Sequence, residues 1–161
     1  MVIRSISGAA STPAVYREGA QARRIELIST SFERLLGRQL VADGSGGTDV
    51  VASLWRAGRA IVAHGMEDDP LFFFGNRAAL KAFECNVEHF VGMPSRLSAE
   101  ASLRSERQAL LERVSADGFI ADYAGTRITA TGRRFRIEDA IVWNLTDQNG
   151  IRHGQAAAFQ L

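Results

Sequence analysis

Only one cysteine, Cys85, stands among 161 residues. A lone thiol forms no internal disulfide and leaves no thiol set for structural zinc, so the composition predicts a reducing, cytoplasmic setting. Excess charge of either sign is missing as well, since 19 basic and 18 acidic residues leave a formal charge of +1. Without a one-signed field to gather phosphates or anionic lipid, the expected partners include no nucleic acid and no membrane. The uninterrupted apolar stretch of a membrane span or signal peptide is absent too, and residues 1–21 read as a frayed lead-in. No internal repeat, linker or low-complexity segment interrupts the rest.

What remains is the composition of one folding domain, 46% hydrophobic and 23% charged. Ile25, Ile28, Phe32, Leu35 and Leu36 recur at helical spacing between about Val15 and Leu40, ending near Gly37. Residues 42–47 read as a turn, and Thr48 as the cap of a short helix through Val50, Val51, Leu54 and Trp55. Two short apolar runs follow, at residues 60–63 and 71–74, joined by an acidic turn ending in Pro70; they predict two strands. Helical spacing returns over 77–83 and 87–91. Ser98 is expected to cap a helix over 99–115 with a stripe of Leu103, Leu110, Leu111 and Val114, and Glu100 to pair with Arg104.

The last third predicts three antiparallel strands, 119–130, 133–145 and 151–159, broken by the turns Thr131-Gly132 and Asp147-Gln148-Asn149-Gly150. In the middle strand Phe135, Ile137, Asp139, Ile141, Trp143 and Leu145 form one row, expected to face short helices. Asp139 alone breaks its apolar pattern.

Two strands, short helices and three long strands, in that order, resemble the PAS arrangement. More specifically, HGMEDDPLFFFGNRAAL (64–80), MPSR (93–96), DYAGTRI (122–128), GRRFRIEDAIVWNL (132–145) and HGQAAAF (153–159) resemble the MEKHLA domain over most of the chain, from about Ser29 to Phe159. That resemblance implies an α+β, PAS-like fold: a five-stranded antiparallel sheet with short helices on one face and an N-terminal helical extension, divided here as residues 1–58 and a core of 59–161. It also implies a sensory or regulatory role, without naming a ligand, so the cofactor stays unknown.

A curved sheet under short helices leaves a gap in which small molecules bind. Its predicted ligand-binding lining is Tyr123, Trp143 and Gln155 from the sheet and Phe83, Ser95 and Leu110 from the helices. Gln155 shares strand parity with Phe159, so its amide is expected inward and in need of a partner. Flavin adduct chemistry is argued against by Ser95, which stands where light-sensing PAS domains carry the reactive cysteine. Haem is argued against by the absence of histidine from 99–115, His89 being read as a surface or cap residue. Cys85 reads as a buried helix residue, and His64 with Glu67, Asp68 and Asp69 as a turn more than a metal site.

Two other classes compete with a small-molecule sensor that signals through a separate effector protein or a homodimer. One is an interaction or dimerisation module with a filled core, using Phe32, Leu35 and Leu36. The other is an enzyme built on Asp139 and His153, whose simpler reading is a bulge turning Asp139 outward. The expectation is a non-enzymatic domain.

Overall fold

Gly37 stops the first long helix because it takes the left-handed conformation, φ 72°, from which its N–H returns to Glu33 O at 2.9 Å. The structure, a computed structural model, describes residues 11–41, 49–100 and 103–160. Helices α1 (Ala14–Arg17), α2 (Gly19–Leu36) and α3 (Val50–Arg56) come first. The segment 14–21, expected to fray, is mostly helical because Tyr16 is fully buried, its ring 4.7 Å from that of Phe74. The Tyr16 hydroxyl donates to Gly75 O at 2.9 Å and accepts from Gly75 N–H at 3.0 Å. The expected turn at 42–47 and the Thr48 cap lie outside the described residues. Asp49 is the N-cap of α3, its carboxylate accepting from Ala52 N–H at 3.1 Å.

Strands β1 (Ala60–His64), β2 (Phe72–Gly75), β3 (Phe119–Ile128), β4 (Arg134–Thr146) and β5 (Arg152–Gln160) form one sheet in the order β2-β1-β5-β4-β3. Every neighbouring pair is antiparallel, which is the expected sheet. Between β2 and β3 lie α4 (Arg77–Phe83), α5 (Val87–Phe90), a 3-10 turn (Ser95–Ser98) and α6 (Arg104–Asp117).

Asn76 joins strands to helices. Its Oδ1 accepts from Ile61 N–H and Ala79 N–H, and its Nδ2 donates to Leu54 O and Arg59 O, so one buried amide caps α4 and ties it to β1 and α3. Helix α6 starts later than the sequence predicts. Ser98 donates its hydroxyl to Ser95 O at 2.7 Å, closing the 3-10 turn instead of capping a helix. Glu100, expected to hold Arg104, pairs with Arg134, while Arg104 Nε donates to the carbonyls of Arg96 and Ala99.

The helices divide between the two faces of the sheet. On one face α2 buries Ile25, Ile28 and Phe32, with the Phe32 ring edge-on to Trp143 at 4.9 Å and Trp143 Nε1 donating to Ile28 O at 3.2 Å. Phe32 thus covers its own sheet, the simpler of its two expected roles; Leu35, at 36% exposure, lies on the rim. On the other face α4 and α6 cover the sheet.

Strand β4 changes face midway, which corrects the row predicted from Phe135 to Leu145. Its pairing with β5 shifts register between Glu138 and Ile141, and Asp139 takes φ 49°. An extra residue in one strand moves every later side chain to the opposite face. Phe135 and Ile137 therefore look at the helices, Val142 and Asn144 take over beyond the bulge, and Trp143 turns to α2. Asp139, which broke the pattern, marks where the row divides.

Candidate functional site

A cavity lies between the sheet and the second group of helices; counted together with the part open to solvent, its space free of atoms is about 520 Å³. About 50 Å³ of it admits the centre of a water molecule, several times what one water requires. It therefore suits a molecule of a few heavy atoms.

Of the six residues predicted to line such a gap, Phe83, Leu110, Tyr123 and Gln155 do so. Ser95 sits behind the wall, its Oγ accepting from Arg107 Nη2 at 2.8 Å. Trp143 is on the far face because of the bulge. Gln155 points inward, as its parity predicts, but protein groups hold it: its Nε2 lies 3.1 Å from Leu111 O, 3.2 Å from Ser115 Oγ and 3.1 Å from Asn144 Oδ1. Asn144 Nδ2 in turn donates to Val114 O, so this amide pair fastens β4 and β5 to the end of α6.

His64, at the end of β1, is the least expected member of the wall. The ring is 8% exposed, Nδ1 lies 3.1 Å from Gly65 O, and Nε2 is buried with no hydrogen-bond partner among the described residues. With Nδ1–H donating to that carbonyl, Nε2 presents a bare lone pair. Burial lowers the imidazole pKa to about 4, helped by the charge of Arg107 and opposed by the Gly65 carbonyl and Glu67. Gly154 lets β1 come this close, since a Cβ there would stand 2.0 Å from His64 O.

One arginine completes the polar part of the wall, and a second lies behind it with Ser95. Arg127 lines the cavity, its guanidinium 5.7 Å from the centre of the Tyr123 ring. Arg107, also 8% exposed, stands one turn before Leu110 and Leu111 on α6, and burial, with the charge of Arg127 adding to it, lowers its pKa to about 10. A sequence signal existed for both newcomers. Arg107 fills the gap in the stripe Leu103, Leu110, Leu111, Val114, and His64 shares strand parity with Val62 at the end of an apolar run.

The other candidate chemistry separates. Asp139 and His153 lie near opposite ends of the β4–β5 ladder, where Glu138 pairs with Gln160 and Leu145 with Gly154, roughly 20 Å apart at about 3.3 Å per residue. His153 Nε2 instead lies 2.9 Å from Asp147 Oδ2 in the connecting turn, and Arg59 Nη2 donates to Asp139 O at 2.7 Å. Cys85 is half-buried, and burial raises its thiol pKa, the reverse of a reactive thiolate. Ser95, engaged by Arg107, does not fit flavin-thiol adduct chemistry. No three His, Cys, Asp or Glu side chains are grouped to hold a metal ion among the described residues.

A family model described as the MEKHLA domain matches residues 22–161. The chain belongs to the MEKHLA domain family. A search of curated proteins finds no match. Among solved structures, this MEKHLA domain is similar to the PAS domain of a Colwellia psychrerythraea protein, with TM-score 0.59 and 13% identity over 67% of this chain and 89% of that one. It is similar also to the Rhodobacter sphaeroides LOV protein, with TM-score 0.57 and 11% identity over 86% of this chain and 66% of that one. A third likeness is to the PAS domain, in complex with ethanol, of a LuxR-family transcriptional regulator from Burkholderia thailandensis; the TM-score is 0.53 and the identity 20%, over 70% and 96% of the two chains. Such identities show a shared fold, so the MEKHLA domain is PAS-like in architecture.

Proposed function

We propose that this MEKHLA domain is a sensory module that binds a small molecule in the cavity and passes its occupancy to a separate effector protein or to a second copy of the chain. The observation that carries the reading is the cavity itself, largely apolar yet bordered by His64, Tyr123, Arg127 and Gln155. The ethanol complex of the Burkholderia thailandensis PAS domain supports it by analogy of fold and ligand size. Transmission would start at β4, where Val142 lines the cavity and Trp143, the next residue, holds α2. The domain acts in this reading without catalysis and in the cytoplasm; no helix of the described residues is long and apolar enough to cross a membrane.

Native mass spectrometry of the purified protein, with thermal shifts against a panel of small molecules, tests the proposal. Binding that raises the melting temperature, and that Leu110→Trp abolishes in a folded protein, is the expected result. Ligands that stabilise the Leu110→Trp variant as well as the parent would place binding elsewhere.

A further inference from the structure

Among the described residues that line the cavity, one buried polar side-chain atom has no hydrogen-bond partner. It is Nε2 of His64; Nδ1 is turned to Gly65 O, which leaves Nε2 as the acceptor of a neutral ring. Neighbouring polar groups in the wall are engaged. Gln155 Nε2 has three acceptors, Ser98 Oγ donates to Ser95 O, and Arg127 Nη1 donates to Thr126 O. A buried acceptor left unmet is a standing cost that a donor arriving with a ligand removes. The wall holds no Asp or Glu, so an ammonium donor would meet only the like charge of Arg127, and a carboxylate would bring acceptors to an acceptor. His64, Leu111 and Gln155 line, besides the cavity, a surface cleft between the β1–β2 connection and α6. These three side chains therefore stand between cleft and cavity.

We infer, on the reading of the cavity as a ligand site, that its ligand is a small uncharged alcohol whose hydroxyl donates to Nε2 of His64 and which enters from the cleft past Leu111. The alkyl remainder lies among Val62, Phe72, Ile137 and Val142. A hydroxyl brings the required donor at the least desolvation, whereas an amide would carry a carbonyl and a second N–H into the same apolar wall. Because Nε2 is buried, a hydroxyl reaches it only when part of the partition yields. Gln155 is pinned by its three partners and the His64 ring by Gly65 O. Leu111 is half-buried and packs against the cluster of Leu110, Val114 and Val142 with a side chain that forms no directional bond, so it is the member that swings aside.

Isobutanol and methyl isopropyl ether are branched isomers, and only the alcohol donates a hydrogen bond. Titrations of the full chain followed by nuclear magnetic resonance should show isobutanol binding about tenfold tighter than the ether, and tighter than isobutyrate or isobutylammonium. His64→Phe should bring alcohol and ether within about twofold of one another. Leu111→Ala should speed exchange of the alcohol and keep the preference for it. In the unmodified protein, with its histidine nitrogens isotopically labelled, the alcohol should shift the resonance of one unprotonated ring nitrogen and the ether should not, a readout that stands even where His64→Phe fails to fold. Equal binding of alcohol and ether, a preference that survives His64→Phe, or a histidine resonance unmoved by bound alcohol overturns the inference, and unchanged exchange in Leu111→Ala overturns the route. Binding of the ether or isobutyrate without the alcohol, abolished by Leu110→Trp, refutes the alcohol and leaves the ligand site standing. Failure of all four probes in the unmodified protein counts against both.

Discussion

At the scale of single residues, the buried polar groups set the energetics, because each must find a partner or cost stability. Asn76 has all four of its hydrogen bonds. Asn76→Asp would turn its two donors into acceptors facing Leu54 O and Arg59 O, and is expected to cost on the order of 3 kcal/mol in urea unfolding, where a loss under ~1 kcal/mol would contradict the bonding described. His64 has the opposite character, an imidazole kept neutral by burial. Its folded pKa of about 4 lies below the ordinary 6.5, so the unfolded chain binds the proton more readily. Stability from this group is full above pH 6.5 and declines as pH falls to about 4, by on the order of 3 kcal/mol. Chemical denaturation at a series of pH values should show that decline and its flattening in His64→Gln; parallel curves for the two proteins would refute it.

Among the elements, α2 and the β4 bulge decide which side of the sheet does what. Helix α2 is amphipathic by sequence, but its partner was not legible there, since an apolar stripe fits its own sheet and a second chain equally well. The Trp143 indole bonded to Ile28 O decides for its own sheet. Phe32→Ala is therefore expected to lower stability by about 3–5 kcal/mol and Leu35→Ala by under about 1 kcal/mol, read by thermal melting. Equal small effects would mean that α2 is not docked on β4. Parity at Gln155 was readable because β5 runs from His153 to Phe159 with no shift of register against β1 over 155–159. Parity at Trp143 was not, because the bulge at Asp139 lies between it and Phe135.

For the whole molecule, the N-terminal helices act as a lid on a face that the remaining elements leave apolar. We propose the division into residues 1–58 and 59–161 as one of chain order only, not of independent folding. A chain beginning at residue 59 would expose Ile141, Trp143 and Leu145, and is expected to lose its near-ultraviolet circular dichroism or to precipitate; a sharp, cooperative melt of that fragment would refute this. The amino-acid sequence by itself determined the order of helices and strands, the antiparallel layer and the family, and it named four of the fifteen residues that line the cavity. Those features follow from local periodicity, turn chemistry and motif order, which are written along the chain. Only the tertiary structure decided that Trp143 belongs to the α2 interface, that Asp139 and His153 are far apart, and that His64 lines one cavity with Leu110 and Leu111. A bulge, a ladder register and the meeting of β1 with α6 depend on residues distant in sequence, and such contacts exist only once the layers have packed.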